Sequence, residues 1–123
     1  QAAILMADIQ PERSEEFVCS AAYCYVDIIQ LASSVQDEEM IRRDLVPGFF
    51  RNVSRTNFCS YEFFGAMKAL IRAFMNTYGQ KVSLTVNSRY VMKTLRRAFT
   101  INNKAFREEM EEFINEIKGS SHL

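Results

Sequence analysis

Ser60 to Gly79 reads SYEFFGAMKALIRAFMNTYG, and this stretch decides the fold class. Phe63, Met67, Leu70, Phe74 and Tyr78 recur at steps of three and four, which places them on one edge of a helix. Phe64, Ile71 and Met75 form the next edge. Ser60 supplies the side-chain oxygen that caps a helix start, and Gly79 supplies a stop. The pattern predicts a helix over 61–78. Gly65, Ala66, Ala69 and Ala73 form a strip of small residues on it, which would let another helix approach closely.

The same spacing governs the chain on both sides. From Ser14 to Val35 a long helix is predicted, with Ser14 as cap and Glu15 and Glu16 in the first turn, where the helix dipole favours negative charge. Phe17, Ala21, Cys24, Ile28, Leu31 and Val35 share one face, widened by Val18, Ala22, Tyr25 and Ile29. Its polar stripe (Ser20, Tyr23, Asp27, Gln30, Ser34) is narrow, so this helix is expected to be the most buried element. A short helix follows, capped by Asp37, carrying Met40, Ile41 and Leu45 inward and ended by Pro47. Phe49, Phe50 and Val53 suit one or two further turns, and Arg55 to Cys59 read as loop.

Beyond Gly79, Gln80 to Thr85 read as a loop. A fourth helix is expected from Asn87 or Ser88 to about Phe99, turning Val91, Leu95 and Ala98 inward. A last one starts at Asn102 or Asn103, buries Phe106, Met110, Phe113, Ile114 and Ile117, and stops at Gly119. The expected fold is all-α: a single-domain bundle or short array of about five helices spanning 1–123, with 1–13 and 119–123 as flexible ends.

Composition agrees. The 123 residues suit one domain, and 48% hydrophobic with 12% aromatic residues supply a core. Four Gly and two Pro are too few for a turn-rich β-sandwich. The start at Gln1 leads us to expect a domain cut from a longer protein. No apolar run approaches the roughly 20 residues that cross a bilayer. Cys19, Cys24 and Cys59 make an odd count, which reads as reduced thiols in a cytosolic or nuclear protein. On that reading the sequon Asn52-Val53-Ser54 is a chance match.

Little in the chain suggests catalysis. The single histidine, His122, lies in a Gly-Ser-Ser tail, away from any serine or cysteine nucleophile in a patterned helix. Cys59 precedes a helix start, where a thiol pKa falls, but an apolar filler is the simpler reading. The carboxylates come in runs, such as Glu108, Glu109, Glu111 and Glu112, which suit a solvated helix face better than a desolvated pair. No phosphate loop or nucleophile elbow is present. We expect no enzyme activity, no cofactor, no metal and no small-molecule substrate.

Two signals point to binding. Net charge is zero, but residues 1–44 carry nine acids and three bases, 45–107 eleven bases and one acid, and 108–123 five acids and one base. Arg89, Lys93, Arg96 and Arg97 recur on one face of the fourth helix, with Arg51, Arg55, Arg72, Lys81, Lys104 and Arg107 as further bases. Such a face suits an acidic partner, while neutralisation by acidic helices of the same domain is the competing reading. The second signal is Phe49, Phe50, Phe58, Tyr61, Phe63 and Phe64 within sixteen residues, read either as core or as an exposed groove for an amphipathic helix.

A short similarity adds to this. MKALIRAF at Met67–Phe74 and MKTLRRAF at Met92–Phe99 agree at six of eight positions, either by coincidence of two amphipathic helices or by duplication. Known helical arrays repeat at longer periods, which favours coincidence. The combined expectation is an intracellular protein–protein interaction domain, an adaptor or scaffold that docks an acidic or amphipathic segment or pairs with itself. Its partner-binding residues would be Arg89, Lys93, Arg96, Arg97, Phe49, Phe50, Phe58 and Tyr61. The alternative is a nucleic-acid-binding domain that uses the same basic face.

Overall fold

The computed structural model describes residues 11–31, 34–79 and 88–120. Among them every regular element is helical: α1 (Pro11–Leu31), α2 (Val35–Met40), α3 (Val46–Val53), α4 (Tyr61–Tyr78), α5 (Ser88–Arg96) and α6 (Lys104–Ser120). A π-helical turn at Ile41–Leu45 joins α2 to α3, so residues 35–53 form one continuous rod. A 3₁₀ turn, Arg97–Thr100, closes α5. The result is an all-α bundle of five rods. The loop expected at Gln80 to Thr85 and the alternative cap at Asn87 lie outside the described residues.

Local chemistry sets the ends. Ser60 Oγ accepts from the Phe63 amide at 3.1 Å and starts α4 as expected. Asn103 Oδ1 accepts from the Phe106 amide at 3.1 Å and starts α6, which runs through Gly119 to Ser120 instead of stopping at the glycine. The cap of α2 is Ser34, whose hydroxyl accepts from the Asp37 amide at 3.0 Å. Asp37 therefore lies in the first turn rather than at the cap, where its charge still favours the helix dipole. At the other end of the chain α1 begins at Pro11, inside the expected flexible stretch, and Ser14 is buried within it. Proline suits the first turn because its missing N–H would have had no intrahelical partner.

Pro47 does not end its helix. The rod passes through it because the preceding residues widen to i→i−5 bonding, with the Val46 amide donating to the Ile41 carbonyl. In an α-helix the proline ring would clash with the carbonyl four residues back, and a π turn relieves that crowding.

Helix α1 lies along α4, the most extensive helix pairing among the described residues, and the starts of the two helices meet. Glu15 near the start of α1 accepts from the amides of Cys59 (2.9 Å) and Ser60 (3.2 Å) at the start of α4. The 35–53 rod is the return stroke that makes this parallel pairing possible. The core is aromatic: Phe49 meets Tyr25 and Phe50 edge-on, with centroids at 5.3 and 5.6 Å. Phe63 meets Phe58 and Phe64 in the same way. Leu95, Met110, Phe113 and Ile117 close the core from α5 and α6.

The buried face of α1 is not the one expected, and α4 rather than α1 is the most deeply buried helix. Val18, Ala22 and Ile29 point inward, while Cys24, Ile28 and Leu31 are exposed, as is Val35 at the start of α2. Two apolar stripes run side by side on this helix, and periodicity alone does not rank them. Ile28 keeps 41% of its surface exposed against 2% for Ile29. Ile29→Ala is therefore expected to cost about 2–5 kcal/mol and Ile28→Ala less than about 1 kcal/mol. Chemical denaturation of the two variants side by side checks the assignment.

Candidate functional site: a basic groove between the 35–53 rod and α5

The bases among the described residues fall into distinct environments. Lys68 and Arg72 on α4 reach the acidic α6, with Lys68 Nζ 2.8 Å from Glu109 and Arg72 Nε 3.5 Å from Glu116. Both also stand over the Phe113 ring. Lys104 sits 3.9 Å from Glu108, one turn on. Arg107 donates to the Ile101 carbonyl at 2.6 Å. Internal neutralisation thus accounts for the bases that face α6.

Arg97 has a different task. Its guanidinium donates to the Val53 carbonyl at 3.2 Å, to the Thr56 carbonyl and hydroxyl, and to the Thr94 carbonyl, and it lies 5.4 Å over the Phe63 ring. The Val53 carbonyl ends the 35–53 rod, where the last C=O groups of a helix have no intrahelical partner, and the Thr56 carbonyl lies in the turn that follows. Burial pulls this guanidinium below its ordinary pKa, while Cys59 and Glu15 act in the opposite sense. Arg97 fastens α5 to the rod and is turned away from solvent-side partners.

Six exposed cations pair with no carboxylate among the described residues: Arg43, Arg51, Arg55, Arg89, Lys93 and Arg96. Helix α3 packs against α5, and between them lies a groove of about 250 Å³. Arg43, Asp44, Pro47, Gly48 and Arg51 line it from the rod and Tyr90 from α5. Arg89 stands over the Tyr90 ring at 5.8 Å. Lys93 and Arg96 continue the cationic side of α5 along the solvent face, since residues three and four apart are neighbours there.

The eight residues singled out in the sequence therefore fall in three places. Arg89, Lys93 and Arg96 lie on the outer face of α5, beside the groove. Phe49 and Phe50 belong to the interior, Arg97 is half-buried against the end of the rod, and the half-buried Phe58 packs edge-on against Phe63. Phe49 and Phe50 cannot line an open surface, because the rod turns them toward Tyr25 and the core. Tyr61 is 51% exposed but belongs to a separate cleft between α4 and α6, where it meets Phe106 edge-on and accepts from Asn103 Nδ2.

The groove residues that sequence reasoning passes over are Arg43 and Tyr90. Arg43, Pro47, Arg51 and Arg55 are spaced by four, a helical signal hidden when Pro47 is read as a break. Cysteine chemistry does not compete with this site. Burial, with Glu15 nearby, pushes the Cys19 thiol up to about 11, and the Cys59 thiol donates to the Arg97 carbonyl at 3.6 Å. Among the described residues no cluster of ligands suits a metal, and no helix is long and apolar enough to cross a membrane. Comparison with known protein families, curated protein sequences and solved structures finds no match.

Proposed function

We propose that this domain is an intracellular protein–protein interaction module whose basic groove takes an acidic segment of a partner protein. The observation that carries the reading is the convergence of Arg43 and Arg51 from the rod with Tyr90 from α5 on one groove, with Arg89 over the Tyr90 ring beside it. Arginine presents a planar fork that binds carboxylates bidentately, and tyrosine adds apolar contact with a polar tip. Asp44 on the wall of the groove suits a peptide, which brings amide donors, better than a phosphate backbone, which brings none. The reading assigns no catalytic role to any residue.

A nucleic-acid reading uses the row Arg89, Lys93 and Arg96 against phosphates, and one titration separates the two. A labelled oligoglutamate peptide and a labelled DNA duplex are each titrated with the wild type and with the double variant Arg43→Glu, Arg51→Glu, which reverses the charge lining the groove. The peptide is expected to bind the wild type and to lose at least tenfold in affinity with the double variant. Thermal stability should stay within about 0.5 kcal/mol, as for ordinary surface changes. Tighter binding of the duplex, falling roughly a thousandfold between 50 and 200 mM salt, would favour nucleic acid. Unchanged peptide affinity in the double variant would overturn the proposal.

A further inference from the structure

The exposed stripe of the 35–53 rod has a property that neither α4 nor α6 shares. Val35, Glu39, Arg43, Pro47, Arg51 and Arg55 follow one another at steps of four. In a pure α-helix each such step overshoots one turn by about 40°, so the series would wind around the rod. The π turn at Ile41–Leu45 holds more residues per turn and takes part of that drift back. Glu39, Arg43, Arg51 and Arg55 are exposed, as is Asp37 beside them. Val35 and Met40 are large apolar side chains left 75% and 45% exposed on the same half. The stripe is thus apolar and acidic from Val35 to Glu39 and basic from Arg43 to Arg55.

A rod whose two ends carry opposite charge is complementary to itself when turned end over end. From this we infer that the rod pairs antiparallel with the rod of a second copy of this chain, about a two-fold axis near Leu45. The inference rests on the reading that the groove takes an acidic partner, and it names that partner. A two-fold axis at this level sets Glu39 against Arg51 of the second copy, and Arg51 against Glu39 of the second copy. Every contact is made twice, as an isologous interface requires. Val35 falls at the level of Arg55 of the second copy, where the long arginine stem can cover apolar surface.

The crossing point is open. Pro47 and Gly48 present little bulk there, and a Cβ placed on Gly48 would meet nothing within 4 Å. The rod is about 28 Å long at 1.5 Å per residue, so two of them bury less than the 1,200–2,000 Å² of a standard interface. The dimer should therefore be weak and reversible, with a Kd in the range of about ten to several hundred micromolar.

Sedimentation equilibrium over that concentration range tests it, with circular dichroism confirming that each variant is folded. The wild type is expected to move from the 14.2 kDa monomer toward twice that mass. Glu39→Arg alone and Arg51→Glu alone should each weaken association at least tenfold, because each places like charges together twice. An equimolar mixture of the two should restore a one-to-one dimer, and so should the double variant E39R/R51E on its own. Gly48→Leu, at a site with room for the side chain, should hold the rods apart without unfolding the monomer. A monomer at every concentration that still binds oligoglutamate overturns this inference and leaves the groove reading standing. A monomer that binds no peptide overturns both. A dimer indifferent to the charge reversals places the contact elsewhere and overturns the inference.

Discussion

Replacing Phe49 with Ala is expected to remove about 3–5 kcal/mol from the stability of the fold, enough to unfold a marginal domain of this size. Phe49 has no exposed surface and packs edge-on against both Tyr25 and Phe50. Truncation there loses the transfer energy of a whole ring, leaves a cavity between α1 and the rod, and gives up two aromatic contacts. Urea unfolding followed by circular dichroism measures the loss. A cost below about 1 kcal/mol would mean that Phe49 faces outward, as an aromatic groove in its part of the sequence would require.

The second large effect is expected at Arg97. Arg97→Ala should cost about 2–3 kcal/mol, because charge-assisted hydrogen bonds are lost and the part-buried Thr56 carbonyl is left unmet, while the Val53 carbonyl keeps the Thr56 amide and hydroxyl. Arg97→Lys keeps the charge but not the planar fork that reaches both carbonyls, so its cost should fall between wild type and Ala. The neighbouring Arg96, exposed and unpaired with any described carboxylate, gives the control: Arg96→Ala should change stability by no more than about 0.5 kcal/mol. Equal losses at 96 and 97 would contradict the assignment of Arg97 to the rod end.

The contrast between those two adjacent arginines shows what a sequence can and cannot yield. The helices at 61–78 and 104–120 are legible because one apolar stripe dominates each, and Ser60 and Asn103 mark their starts. On α1 two stripes compete, and the choice between Ile28 and Ile29 depends on which way α4 lies, a tertiary fact. Lys93 poses no such choice, since it follows Arg89 by one turn and shares its exposure. Arg97 carries the same local pattern as Arg96, and only the carbonyls brought to it from the rod end and the turn after it, 41 and 44 residues away, settle its role. The groove is hidden for a third reason. Proline is read as a helix stop unless the turn before it can widen, and nothing in residues 41–45 announces a π turn.

That π turn carries a consequence for how this chain can vary over time. Ile41 and Val46 are both buried although they stand five apart, a spacing that would rotate them well over a quarter turn from each other in an α-helix. Point changes between them leave that phase intact. Deleting one residue lets four residues of ordinary α-helix sweep nearly the same angle, so Val46, Phe49, Phe50 and Val53 keep facing the core, but it brings back the clash between the Pro47 ring and the carbonyl four residues before it. The extra residue between Ile41 and Val46 is thus tied to Pro47: a chain that loses one is expected to lose the other.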